Sequence, residues 1–285
     1  MIEQTFIFCV GATKAGTSWL YDYLNSHREC QLPAVKELHY FDALEHGSGA
    51  WHRKQLEGRL EGVRSRLDAA DSLNLHQERL LTDGEGWLNT FDGETRDDDA
   101  YLQFVRNAAG DAKLIGDFTP AYGMLKEATF RTMAGLTDKV RFVFLMRDPV
   151  ERIWSNIRMI AGQDGPATLE AKIKGVLDGT ATNILERSNY RRTLNRLSAA
   201  MPTEMFHIEY YERLFTPDAI SRLCAFLGIT HEPAQFERVV HRSAPADLPA
   251  AQRAQLQTAL KPQYNFVEKF MGELPTEWTQ KMVSV

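Results

Sequence analysis

The chain is short of three things, and each shortage excludes a class of protein. Cysteine is the first: 285 residues carry three, Cys9, Cys30 and Cys224, widely separated and outside any CxxC or Cys/His spacing. That leaves no zinc pattern and reads the thiols as reduced and buried, the usual state of lone cysteines in apolar runs. Long apolar runs are the second. None approaches the ~18 residues of a membrane span, and the first strand-like run starts by Thr5, too early for a secretory leader to precede it. A cytoplasmic protein with no transmembrane segment is expected. Surplus positive charge is the third. The formal net charge is −5, so no nucleic-acid partner is expected, although local basic patches fit within that total. Internal repeats and low-complexity tracts are missing as well.

What is there is core-forming material. Hydrophobic residues make up 44% and aromatics 10%, enough for one large α/β domain or two small ones. No composition shift marks a boundary, so one domain over 1–285 is expected, with a helical and loop insertion at about 43–112. TFIFCV (5–10), KLIGD (113–117), VRFVFLM (140–146) and EMFHIEY (204–210) read as strands, with helical patterns between them. This predicts a mostly parallel central sheet covered on both faces.

Two helix starts are legible in detail. In RDPVERIWSNI, Asp148 caps, Pro149 takes the first helical position and Glu151 closes a capping box. In FTPDAISRLCAFLGI, Thr216 caps, Pro217 follows and Gly228 ends the helix. Residues 51–73 form an amphipathic helix through Leu56, Leu60, Val63, Leu67 and Ala70, expected to pack on the surface rather than to serve as a substrate lid. The glycine-rich, acidic stretch 82–99 and residues 162–168 read as loops.

The chemistry begins at GATKAGTS (11–18), between the first strand and a helix. It nearly fits the phosphate loop G-x-x-x-x-G-K-[ST]. Gly11 and Gly16 are in place, but Thr17 stands where the lysine belongs, and the lysine is inside the loop as Lys14. Gly16 lets the backbone approach an anion, Thr17 and Ser18 add hydroxyls at a helix N-terminus, and Lys14 supplies a movable charge. A phosphate-like anion is predicted there. Arg147 ends the strongest strand and Ser155 lies in the second turn of the next helix, a fork and a hydroxyl suited to a second phosphate. Asp148 is occupied as a cap, and Asp117 has no second acid beside it, so no metal site and no Mg²⁺-dependent chemistry are expected.

TKAGTSWLYDYL, KELHYFD, IGDFTPAY and FVFLMRDPVERIWSNI together resemble the sulfotransferases that use 3′-phosphoadenosine 5′-phosphosulfate (PAPS). The likeness is strongest to the bacterial and Golgi-type branch that includes heparan sulfate sulfotransferases. It continues through YRRTLNRL, HIEYYERLFTPDAISRLCAFLGI and YNFVEKFMGELPTEW, nearly the whole chain. The resemblance implies a P-loop-kinase-like α/β fold, PAPS as donor and adenosine 3′,5′-bisphosphate (PAP) as product. It implies that Lys14, Ala15, Gly16, Thr17 and Ser18 hold the 5′-phosphosulfate and that Arg147 and Ser155 grip the 3′-phosphate. It puts Tyr211 near the adenine, further contacts at Tyr190 and Arg191, and Arg242 in the late nucleotide loop. There VHRSAPADLP departs from the usual lysine- and glycine-rich form.

Sulfuryl transfer, like phosphoryl transfer, rests on positioning and charge stabilisation. Lys14 suits the leaving oxygen. A base must take the acceptor proton, and by resemblance Glu37 of KELHYFD is that base. Glu37 and His39 alternate along an extended segment and so share a face. His39 is the second choice, an orienting partner, or an ordinary packed histidine; Lys36 binds substrate or is solvated. Relatives often carry a lysine where this chain has Phe118, and a glutamate at Asp117. Phe118 with Tyr122 predicts a more apolar acceptor pocket. The acceptor class stays open, small molecule, glycan or lipid, with a hydroxyl or an amine. Two other readings stand beside this one: a P-loop nucleoside or small-molecule kinase, opposed by the displaced lysine, and a non-catalytic PAP-binding protein, opposed by the joint presence of Lys14 and Glu37.

Overall fold

The computed structural model describes residues 4–69, 74–107, 110–165, 168–237 and 247–282. Strand β1 (Thr5–Gly11) is buried along its whole length, as a strand in a parallel sheet covered on both faces must be. Its neighbours are β2 (Leu114–Phe118) on one side and β3 (Val140–Met146) on the other, and β4 (Phe206–Tyr210) lies beyond β3. All the pairings are parallel. Phe8 lies opposite Asp117 of β2 and Phe142 of β3, and its ring stacks on Phe142 at 5.3 Å. The order β2-β1-β3-β4 means that the chain leaves β1 toward one edge and β3 toward the other. Their carboxyl ends therefore flank the crevice where open α/β sheets bind ligands.

Helices fill the connections. Helix α1 (Thr17–Ser26) follows β1. Four more separate it from β2: α2 (Tyr40–His46), α3 (Gly49–Ala69), α4 (Leu75–Thr90) and α5 (Asp98–Asn107). A 3₁₀ turn, Pro120–Met124, and α6 (Glu127–Ala134) lead to β3. Then come α7 (Pro149–Asp164), α8 (Thr168–Leu177), α9 (Thr182–Glu186) and α10 (Tyr190–Ala200). After β4 follow α11 (Tyr211–Leu214), α12 (Pro217–Leu227), α13 (Ala250–Met271) and α14 (Thr276–Thr279). Helix α3 packs on α4, α6 on α10, and α7 on α8 and α13. The four-stranded parallel sheet with flanking helices matches the architecture expected from the alternating pattern.

Three local expectations change. Residues 82–90 are the second half of α4, not a loop. Gly84 is a packing glycine: a Cβ there would lie 2.6 Å from the Leu60 side chain of α3, so its smallness lets the two helices meet. Trp87, on the same helix, is buried and donates its indole N–H to Leu38 O at 3.1 Å. Tertiary packing overrides the weak local propensity. Likewise α7 runs on through Gly162 to Asp164. Finally, Asp148 does cap α7, accepting from Glu151 N–H at 3.0 Å, but no capping box closes. The Asp148 N–H goes to Glu212 Oε1 at 3.1 Å, while Glu151 is drawn away to Arg253 at 2.8 Å. Thr216, Pro217 and Gly228 act as expected at α12.

Candidate active site

The turn after β1 is shaped by close approach. Gly11 has φ +140°, and a Cβ on it would meet the Phe144 ring at 3.0 Å and Pro120 O at 3.1 Å. Lys14 has φ +71°, a left-handed conformation that non-glycine residues seldom adopt. Gly16, with φ +92°, caps α1, and a Cβ there would lie 3.0 Å from the Tyr211 ring. No side chain caps the helix, so its first N–H groups keep the positive end of the helix for an outside anion. Arg147 enters from the end of β3. Its Nη1 donates to Lys14 O at 3.3 Å, and its guanidinium lies 4.6 Å from the centre of the Tyr211 ring. Ser155 is buried on α7. Thus Lys14, Gly16, Arg147 and Tyr211 converge across the mouth of β1 and β3. Burial lowers the Lys14 pKa, and the nearby charges of Arg147, Arg158, Lys36 and Arg152 lower it further.

The second half of the site is the segment 35–42, held against the end of β2. Buried Asp117 is its anchor. It accepts from Thr119 Oγ1 at 2.7 Å, Tyr122 Oη at 2.7 Å and Tyr101 Oη at 3.0 Å. Burial raises its pKa to about 6, with those three bonds pulling the other way. Thr119 Oγ1 in turn accepts from Leu38 N–H at 3.1 Å, and Tyr122 Oη accepts from Tyr40 N–H at 2.9 Å. The segment so fixed presents Glu37 and His39 together. His39 Nε2 lies 3.3 Å from Glu37 Oε2, and its Nδ1 lies 2.8 Å from Asp42 Oδ2. Burial disfavours the His39 cation, but the bonds to Asp42 and Glu37 outweigh it and push the pKa up to about 10. Burial likewise works to raise the Glu37 pKa, yet the His39 bond and the Lys36 charge hold it below the ordinary value. Lys36 links the halves: its Nζ donates to Ser18 Oγ at 3.0 Å and lies 3.9 Å from Glu37 Oε1.

The arrangement is a cationic anion cradle beside an ionised carboxylate. The family model for sulfotransferases matches residues 7–233. The chain belongs to the sulfotransferase family. Two solved structures share its fold. A sulfotransferase from Alicyclobacillus acidocaldarius is 18% identical, over 98% of this chain and 100% of that one, with a TM-score of 0.63. The sulfotransferase domain of the olefin synthase of Synechococcus PCC 7002 is 17% identical, over 96% and 97%, with a TM-score of 0.54. No curated protein matches the sequence.

In this sulfotransferase several expected contacts fall elsewhere. Tyr190 is fully buried beneath the site; its Oη donates to Arg147 O at 2.6 Å and accepts from Arg147 N–H at 3.2 Å, so it positions Arg147. Arg191 is exposed on α10, and Arg242 lies outside the described residues. Phe118 is buried edge-on to the Tyr21 ring at 5.6 Å, and the Tyr122 hydroxyl is spent on Asp117, so neither forms an acceptor wall. The cleft beside Glu37 and His39 is walled instead by Leu56 of α3 and by Trp87, Leu88 and Phe91 at α4, enclosing about 290 Å³ including its open mouth. Helix α3 is therefore more than a packed surface helix. It also brings His52, whose ring stacks on His39 at 3.9 Å, and Arg59, which donates to Lys36 O at 2.9 Å. Asp42, Thr119 and His52 were not anticipated as site residues. Asp42 and Thr119 carried a signal, each lying in a motif of the resemblance, KELHYFD and IGDFTPAY, while His52 lay in neither. Among the described residues no helix is long and apolar enough to cross a membrane.

Proposed function

We propose that this sulfotransferase takes its sulfuryl group from PAPS and delivers it to a hydroxyl or amine on a small-molecule, glycan or lipid acceptor, with Glu37 as base. The observation that carries the reading is the meeting of two anion grips across the β1/β3 crevice, with Arg147 Nη1 on Lys14 O. Fit to the donor is supported by the uncapped start of α1, by the close approach of Tyr211 that Gly16 permits there, and by the cations Lys14, Lys36 and Arg147 gathered around it. The 5′-phosphosulfate belongs with Lys14, Ala15, Gly16, Thr17 and Ser18, the 3′-phosphate with Arg147 and Ser155, and Tyr211 serves as the platform under Arg147.

The acceptor's bond to sulfur forms as the bond from sulfur to the bridging oxygen breaks. The electron pair leaves on the 5′-phosphate of PAP, and the acceptor proton goes to Glu37. Lys14 stabilises the charge arriving on the leaving oxygen. His39 stays protonated between Glu37 and Asp42 and orients the base.

Calorimetric titration tests the reading. PAP is expected to bind without Mg²⁺, ADP at least roughly tenfold more weakly, and Arg147→Ala to lose most of that preference, since one charge-assisted phosphate contact is worth about a factor of ten or more. Glu37→Ala should bind PAP normally and lose turnover. Binding of ATP only with Mg²⁺ would move the chemistry to phosphoryl transfer.

A further inference from the structure

Arg187 stands in the short link between α9 and α10. The link is clamped from below by Arg152, which is fully buried on α7 and donates to Ile184 O at 2.6 Å and to Ser188 Oγ. Arg187 is thus mounted on a fixed support. It is half-buried, and its Nη1 donates to Thr13 Oγ1 at 2.8 Å, in the residue before Lys14. Among the described residues no carboxylate comes within 4.0 Å of it, and most of its N–H donors remain unspent. Those donors are free to take an anion that a ligand brings. Arg187 shares a cleft with Ala12, Thr13, Pro120, Met124 and Glu186, whose carboxylate is paired with Arg192 at 3.0 Å. The Arg187 charge also reaches Glu37, where it helps hold the carboxyl ionised. Arg187 is thus tied to the residue before Lys14 while its charge is felt at the base.

Resting on the donor assignment above, we propose that Arg187 is a further catalytic residue, which binds the non-bridging oxygens of the transferring sulfonate from its anchor on Thr13. PAP lacks that sulfonate and PAPS carries it. The planar fork would hold oxygens whose charge persists while the acceptor bond forms and the bridging bond breaks. No proton moves to or from it.

The difference between PAPS and PAP supplies the test, with no acceptor required. The full-length protein, Arg187→Ala and Arg187→Lys are titrated calorimetrically with each nucleotide. Arg187→Ala is expected to weaken PAPS by roughly tenfold or more and PAP by less than about threefold, and Arg187→Lys to restore part of the loss, since one ionic contact is removed from PAPS alone. Thr13→Val keeps the charge and removes only its anchor, so it should weaken PAPS by a smaller factor. Equal weakening of both nucleotides would make Arg187 a support of the loop and overturn the proposal, as would no change in either. If the unaltered protein bound neither nucleotide, the donor assignment itself would fall.

Discussion

At the scale of single residues, the site turns on how Glu37, His39 and Asp42 share a proton. A cation 3.3 Å from Glu37 keeps that carboxylate ionised below its ordinary value of 4.5. The acid limb of kcat/KM should therefore lie below that value. Replacing His39 by glutamine removes the cation and leaves the effect of burial opposed by less charge. The limb should then move up by about one pH unit or more, visible in a pH–rate profile; an unmoved limb would release His39 from this role. Stability follows the same residue. His39 has a folded pKa of about 10 against 6.5 ordinarily, so its contribution is full below pH 6.5 and fades as pH rises through 10. The margin of the native protein over His39→Gln in chemical denaturation should narrow across that window. Glu37 was legible because KELHYFD resembles the sulfotransferase motif, and alternation along the segment put His39 on the same face. His52 and Arg187 were not, because each reaches the site from a distant helix or link, Arg187 across 174 positions to Thr13.

At the scale of elements, the end of β2 governs where the base segment sits. Gly116 is the narrow point. With φ +154°, a Cβ there would fall 1.9 Å from Ile7 O, a backbone atom of the paired strand that cannot step aside. Gly116→Ala should therefore cost more than about 3 kcal/mol, the upper end of ordinary overpacking, read as a fall in the denaturation midpoint. Wild-type stability would mean that the β1–β2 pairing tolerates the methyl. The strands and the α12 caps were readable because their signals are local: buried β-formers, a threonine before a proline, a glycine after the last turn. Helix α4 was not, because Gly84 serves a neighbouring helix rather than its own chain. The failed capping box has the same origin, Glu151 being bound by α13 through Arg253.

At the scale of the whole molecule, the proposed donor and acceptor sides have different sources. The proposed donor cradle comes from the carboxyl ends of β1 and β3, while α3 and α4 wall the cleft beside Glu37. A chain of net charge −5 nevertheless gathers Lys14, Lys36, Arg147, Arg152 and Arg187 around one loop. A ligand that neutralises them should stabilise the entire fold. PAP at a hundredfold excess over its Kd should add about 2.7 kcal/mol and raise the melting temperature by roughly 4–5 °C. ADP at the same concentration should do much less. An equal shift from both would deny the 3′-phosphate grip.

The strand order carries one more consequence, for synthesis. β1 pairs with β2 at Thr5 and Leu114, and with β3 at Phe6 and Val140. On the ribosome it is made before either neighbour exists, and a parallel partner cannot be supplied by a hairpin. The hydrophobic strand that will lie at the centre must therefore wait, unpaired, while α1 to α5 emerge. Lys14 and Arg147 can meet only after β3 has left the exit tunnel. The proposed nucleotide grip can therefore form only when well over half of the chain has been made, and until then β1 depends on protection from non-native pairing.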